Sequence, residues 1–147
     1  MNPPCAHLEP RLAAENPIKR LSGVESPARS RASGQDTPFR PISNAVVELT
    51  AKYTGRGPTK SRTYVNVDAV TVFLQDNLTR GERTLVAAGQ VEHVLRTRSL
   101  FQRAMRDDLV AAVERLTERE VVTFMSDNSV DPDYAVEAFA LKSLPPD

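Results

Sequence analysis

Across Tyr53-Thr-Gly-Arg-Gly-Pro58 the apolar period of the chain changes from that of a helix to that of a strand. On the N-terminal side, Ile42, Ala45, Val46, Leu49 and Tyr53 fall at helical spacing, with Asn44, Glu48 and Lys52 on the opposite side. This predicts one amphipathic helix of about 13 residues, opening near Pro41, a residue suited to a first helical turn. Gly55 suits the left-handed position that closes a helix, and Pro58 blocks its continuation. The stretch therefore sets a helix in front of a β-region and fixes the organisation of the domain.

The next run, residues 61–75, is rich in β-branched residues and alternates. A two-residue turn at Asp68-Ala69 would pair Val67 with Val70, Val65 with Val72 and Tyr64 with Phe73. Val65, Val67, Val70 and Val72 then share one face, and Arg62, Tyr64, Asn66, Thr71, Phe73 and Gln75 the other. A slip of one residue would scramble that sorting. The turn lacks Asn-Gly or Asp-Gly, so its type is not set by its residues.

Thr79-Arg-Gly-Glu82 has the pattern of a capping box and predicts a helix start, with Leu85, Ala88 and Leu95 inward and Gly89 as a potential break. Ser99-Leu-Phe-Gln102 has the same pattern and predicts a second helix over about residues 100–118. Its apolar stripe would be Phe101, Met105, Leu109, Ala112, Val113 and Leu116. Residues 80–106 hold six Arg against two Glu, and residues 107–120 five acids against two Arg. In a helix starting at residue 100 this order opposes the macrodipole, which suggests compensation from a partner surface.

Residues 120–126 and 134–141 read as a second hairpin around the loop 127–133. The expected fold class is α+β: α-β-β-α-α-β-β, a four-stranded, mainly antiparallel sheet with helices on one face. The expected domain organisation is a disordered N-terminal arm over residues 1–40 and a single domain over 41–143. Seven of the eleven prolines lie in residues 1–41, interleaved with Ser, Arg, Gly and Ala. Such a composition buries too little apolar surface to offset an ordering cost of about 1–2 kcal/mol per residue. Arg29, Arg31 and Arg40 give the arm a docking reading as well.

Nineteen basic residues balance nineteen acidic ones, so no global field favours nucleic acid or an anionic membrane. The single Cys5 has no partner for an internal disulfide, which fits a reducing cytosol. No apolar run approaches the roughly 20 residues that span a bilayer, and the N-terminus lacks an apolar signal core. A membrane role would therefore run through a partner.

Each candidate site has a plain alternative. Asp127, Asp131 and Asp133 are hard-cation ligand types, but Pro132 and Ala138 stand where a calcium loop counted from Asp127 needs Gly and Glu. The plain reading is an acidic hairpin loop. Gly55-Arg56-Gly57-Pro58 with Lys60 and Arg62 suits an anion-binding turn. It lacks the Gly-Lys-Ser/Thr ending of a phosphate loop, and the plain reading is a helix stop. The sheet face with Tyr64 and Phe73, joined by Met125 and Phe139 of the second hairpin, reads as an apolar patch of the kind that marks protein contacts. An RNA-binding sheet would have a different strand order and more aromatics. His93 is the one histidine of the folded part, and Cys5 with His7 lies in the arm. Neither forms a catalytic constellation, no Ser sits in a nucleophile elbow, and no cofactor or metal is expected.

Gly55-Arg-Gly-Pro-Thr-Lys-Ser-Arg-Thr-Tyr-Val65, the hairpin turn at Asp68, the Leu78-Thr79 helix start with Glu82, and Val122-Thr-Phe-Met-Ser-Asp127 resemble the MpsC-like domain family over about residues 42–142. That family is associated with sodium-translocating, membrane-potential-generating systems in bacteria. Gly55, Gly57, Pro58 and Asp127 fall on its recurring positions; the long arm departs from its usual short start. The resemblance implies a small soluble domain, a bacterial source and a link to a membrane ion-handling complex, and it carries over no catalytic residues.

The expected function is thus a non-catalytic accessory or regulatory protein, cytoplasmic or peripheral to the membrane through its partner. It would act by contact with a membrane transporter subunit or with a second copy of itself. The candidate contact residues are Gly55, Arg56, Gly57, Pro58, Arg62, Tyr64 and Phe73, together with the arginine-rich segment 80–106. The alternative is a phosphate- or nucleic-acid-binding module using the Gly55–Pro58 turn and its basic neighbours.

Overall fold

A computed structural model of the chain describes residues 39–145. The arm expected over residues 1–40 lies, up to residue 38, outside the described residues. Among the described residues the order is α1 (Arg40–Thr54), β1 (Lys60–Val65), β2 (Ala69–Gln75), α2 (Arg80–Ala87), α3 (Val91–Thr117), β3 (Val121–Val130) and β4 (Asp133–Leu141). The four strands form one antiparallel sheet in the order β1-β2-β4-β3. This is the α+β arrangement expected.

Helices α1 and α3 supply Ile42, Val46, Met105, Leu109 and Val113 to the core. Against them the sheet sets Val70, Val72, Leu74, Ala135, Phe139 and Leu141. Within each strand these residues are an even number of positions apart, so they point to one face. Helix α1 ends as its sequence predicts. Gly55 takes φ +84° and its N–H donates to the Ala51 carbonyl at 2.9 Å, a conformation that costs a residue with a Cβ but not Gly.

The first hairpin departs from expectation in register. Its turn residues are Val67-Asp68, with the Asn66 N–H donating to the Ala69 carbonyl at 2.8 Å. Val65 therefore pairs with Val70 and Tyr64 with Thr71, rather than with Val72 and Phe73. Val67 is not part of the inner face but stands 79% exposed at the tip. The cause is tertiary. The Leu141 N–H donates to the Asp68 carbonyl at 2.7 Å, and the Arg119 guanidinium donates to the Val67 carbonyl. A displacement of two residues keeps the side-chain period, so the division into faces survives.

Three further expectations give way. First, α3 runs unbroken from Val91, and Ser99 is an exposed mid-helix residue rather than a cap. The buried stripe is Val94, Arg98, Gln102, Met105, Leu109, Ala112 and Val113. Two polar residues in that stripe hide its continuity from a hydrophobic pattern, while Leu116 is exposed. With the true start, Glu92 lies in the first turn, which suits the macrodipole, while Glu114 and the closing Glu118 flank Arg115 at the other end, so the expected excess of acid persists there. Second, α2 is two turns long and turns Glu82 inward; Leu85 and Ala88 are exposed. Its Thr79–Glu82 capping box is formed as expected, and Gly89 at φ +79° separates it from α3. Third, β3 and β4 extend through most of the expected loop 127–133, leaving a turn at Asp131-Pro132.

Candidate functional site

The face of the sheet turned away from α1 and α3 is built in transverse rows, because each strand pairs in register with the next. Arg62, Phe73, Val136 and Asp127 form one row from edge to edge. Tyr64, Thr71, Ala138 and Met125 form the next. Lys60, Gln75, Tyr134 and Ser129 form the row on the other side. Tyr64 is 52% exposed, Phe73 41% and Met125 59%. The two rings meet edge to face, centroids 6.1 Å apart, a favourable aromatic geometry. Tyr64 and Phe73 are thus diagonal neighbours rather than a direct cross-strand pair.

Phe139, expected on this face, lies on the other one. It is buried and stacks on Phe124 at 5.0 Å between centroids. The reason is parity: β4 is apolar on both sides, and its only charged interior residue, Glu137, points into the core with Phe139. Sorting by polarity would place Glu137 outside, and Phe139 follows it.

The two central strands carry no charge on the open face. Charge is confined to the edges, Lys60 and Arg62 on β1 and Asp127 on β3. Arg62 and Asp127 are exposed, and neither forms an ion pair among the described residues. An apolar centre with a charged rim is the composition of a protein-contact surface.

The Gly55–Pro58 turn serves the fold. Arg56 Nη1 donates to the carbonyls of Asp76 and Leu78 at 2.7 and 2.9 Å, and Nη2 donates to Asp76 Oδ2 at 2.9 Å. Asp76 also accepts from Thr59 Oγ1 at 2.9 Å and pairs with Arg83. The Thr59 hydroxyl first, with Arg56 and Arg83, holds the Asp76 carboxyl below the usual range. Gly57 brings the chain against α1, where an added Cβ would meet Ala51 Cβ and the Val47 carbonyl at 3.4 Å. The arginine suited to an external anion is thus occupied internally, and Lys60 and Arg62 are the basic residues of this region left facing outward. Within segment 80–106, Arg98 is buried and Arg83 pairs with Asp76, while Arg80, Arg96, Arg103 and Arg106 are exposed.

A buried polar network escaped the sequence reading. Arg98 Nη1 donates to both oxygens of Glu82 at 3.1 and 2.9 Å, its Nε to Asn128 Oδ1 at 3.3 Å and its Nη2 to the Asn77 carbonyl at 3.4 Å. Asn128 Nδ2 donates to Gln102 Oε1 at 2.7 Å, and Gln102 Nε2 to Glu137 Oε1 at 3.2 Å. The chain of bonds joins α2, α3, β3 and β4. Glu137 is 1% exposed, and its Oε2 makes no hydrogen bond of normal geometry. Burial pushes its carboxyl up to about 7, against the opposing pull of the Gln102 amide, the Ser126 hydroxyl and the Arg98 charge. The signal available in the sequence was the helical spacing of Arg98 and Gln102 with Val94 and Met105.

Ser126 lies beside Glu137 in this network, and His93, the one histidine among the described residues, is exposed on α3. Among the described residues no group of three or more His, Cys, Asp or Glu is placed to hold a metal ion. Asp133 is engaged by the Leu78 N–H at 2.9 Å, while Asp127 stands on the open face. No described helix is long and apolar enough to cross a membrane.

Compared with known protein families, residues 39–143 match the family described as Na+-translocating membrane potential-generating system (MpsC). No curated protein and no solved structure matches the chain.

Proposed function

The chain belongs to the MpsC family, and from that premise we propose that it is a non-catalytic accessory component of a membrane-potential-generating system, acting by protein contact through the open face of its sheet. The family name ties it to such a system. The observation that carries the contact reading is the apolar face around Tyr64, Phe73 and Met125, which no described helix covers, with charge only on the outer strands. Sheets that keep one face uncovered normally make it polar, and apolar patches of this kind usually serve association.

The working unit in this reading is residues 41–143 as one domain, and its place is the cytoplasm or the membrane periphery through its partner. A single cysteine, Cys5, fits a reducing compartment. The anion-binding alternative is weaker, because Arg56 is engaged by the backbone at 76–78.

The test is complementation. In host cells lacking the gene, membrane potential is followed with a voltage-sensitive dye while wild type, Phe73→Glu or Tyr64→Glu is supplied at equal level. The wild type restores the potential and the two variants do not, though both fold. Full restoration by Phe73→Glu would remove the contact reading.

A further inference from the structure

The open face carries a charge pattern that matches itself. Arg62 and Asp127 lie at opposite ends of one transverse row, Arg62–Phe73–Val136–Asp127. Three strand spacings of about 4.8 Å separate them, too far for a bond within one sheet. A two-fold axis parallel to the strands, passing between β2 and β4, reverses the strand order of a facing copy and keeps height along the strands. It sets Arg62 of each copy opposite Asp127 of the other. The same operation sets Phe73 over Val136 and Tyr64 over Met125. We propose that the occupant of this face is a second copy of the chain, in a face-to-face sheet dimer closed by two symmetric Arg62–Asp127 ion pairs.

The inference rests on the contact reading above and adds the partner and its register. A two-fold interface must be self-complementary. Here one sign of charge stands on each edge strand, and the middle strands offer Thr71 and Ala138, small side chains that let a second sheet come close. Facing sheets pack about 10 Å apart, a gap that an extended Arg reaching toward a short Asp can bridge. Aligned sheets cross at about 30°. That displaces the edge residues by about one residue along the strand, within the reach of an arginine. Neither side chain has an ion-pair partner among the described residues; Asp127 Oδ1 accepts the Asn128 N–H at 2.8 Å, which leaves Oδ2 for a facing arginine.

Sedimentation equilibrium on the full chain tests this with Arg62→Glu, Asp127→Arg and Phe73→Glu, all at exposed positions, each checked for folding by circular dichroism. The wild type is a dimer at micromolar concentration. Arg62→Glu sets carboxylate against carboxylate at both ends of the row, and Asp127→Arg sets two arginines together at both ends, so each alone weakens association by about tenfold or more. An equimolar mixture of these two variants restores a dimer, because both facing pairs are again of opposite sign. A wild-type dimer that weakens with Phe73→Glu but ignores the charge variants overturns the proposed register and leaves the contact reading standing. A monomeric wild type overturns the second copy as occupant, and complementation by Phe73→Glu then decides the contact reading. A dimer indifferent to all three variants uses another surface and overturns the second copy as occupant of this face, and complementation by Phe73→Glu again decides the contact reading.

Discussion

Arg98 of α3 and Glu82 of α2 form a buried ion pair, Nη1 lying 2.9 Å from Oε2 and 3.1 Å from Oε1. The same carboxylate accepts the Thr79 N–H at 2.7 Å, closing the capping box of α2. One side chain thus caps the helix and ties it to its neighbour, which explains how a two-turn helix with little apolar surface keeps its place.

Removing one partner of this pair leaves an uncompensated interior charge. Arg98→Met is expected to destabilise the domain by about 3–5 kcal/mol in urea unfolding. The double variant Arg98→Met with Glu82→Leu is expected to recover part of that loss, though not the cap. Equal stability of Arg98→Met and wild type would remove the pair from the account of how α2 is held.

Glu137 makes stability fall as pH rises. Its folded pKa, about 7, lies above the ordinary value of 4.5, so between these values the folded state binds more protons than the unfolded chain. Stability is then full below about pH 4.5, declines through neutrality and levels off above pH 7, a change of roughly 3 kcal/mol. The Asp76 carboxyl, held below its usual range, acts at lower pH. Glu137→Gln keeps an amide oxygen for Gln102 and cannot ionise. It is expected to be more stable than wild type at pH 8 and nearly equal at pH 5. Parallel urea midpoints of the two proteins across this range would contradict the assignment.

Arg56 stabilises the segment 76–78 by donating to two carbonyls and to Asp76, whose own φ is +53°. Arg56→Ala is expected to cost about 1.5–3 kcal/mol, the range for bonds to charged groups. Arg56→Lys should recover little, since a lysine ammonium cannot present the planar fork. Chemical denaturation reads both. Unchanged stability in Arg56→Ala would favour an outward, ligand-binding role for this arginine.

Gly55 separates backbone strain from packing. Nothing lies within 4 Å of the place its Cβ would occupy, yet its φ is +84°. Gly55→Ala is therefore expected to cost about 1–2 kcal/mol from conformation alone. Gly55→Asn should cost less, because Asn tolerates the left-handed region better. Thermal melts that rank Ala equal to Gly would show that the helix end relaxes to another cap.

Much of this fold is written locally. The helical spacing of Ile42, Val46 and Leu49, the Gly55 stop, the Thr79–Glu82 box and the alternation at 62–75 each act over a few residues, and each element formed where those signals stand. The open face was legible for the same reason: period 2 assigns Tyr64 and Phe73 together in the expected register and in the observed one. The candidate residues of the Gly55–Pro58 turn were legible as a helix stop, but not the internal acceptors that engage Arg56.

What local pattern did not show depends on residues far apart in the chain. The hairpin register follows from Leu141 and Arg119 holding the carbonyls of the turn. The continuity of α3 follows from Arg98 and Gln102 finding Glu82, Asn128 and Glu137 on other elements. A polar side chain is inside only if its partners are inside, and those partners are fixed by assembly rather than by spacing. The sequence by itself determined the order of elements and which side chains share a face, because those are set by backbone periodicity. Only the tertiary structure decided which polar groups the core admits and which residues stand in one row across four strands, because both require separate segments to be brought together.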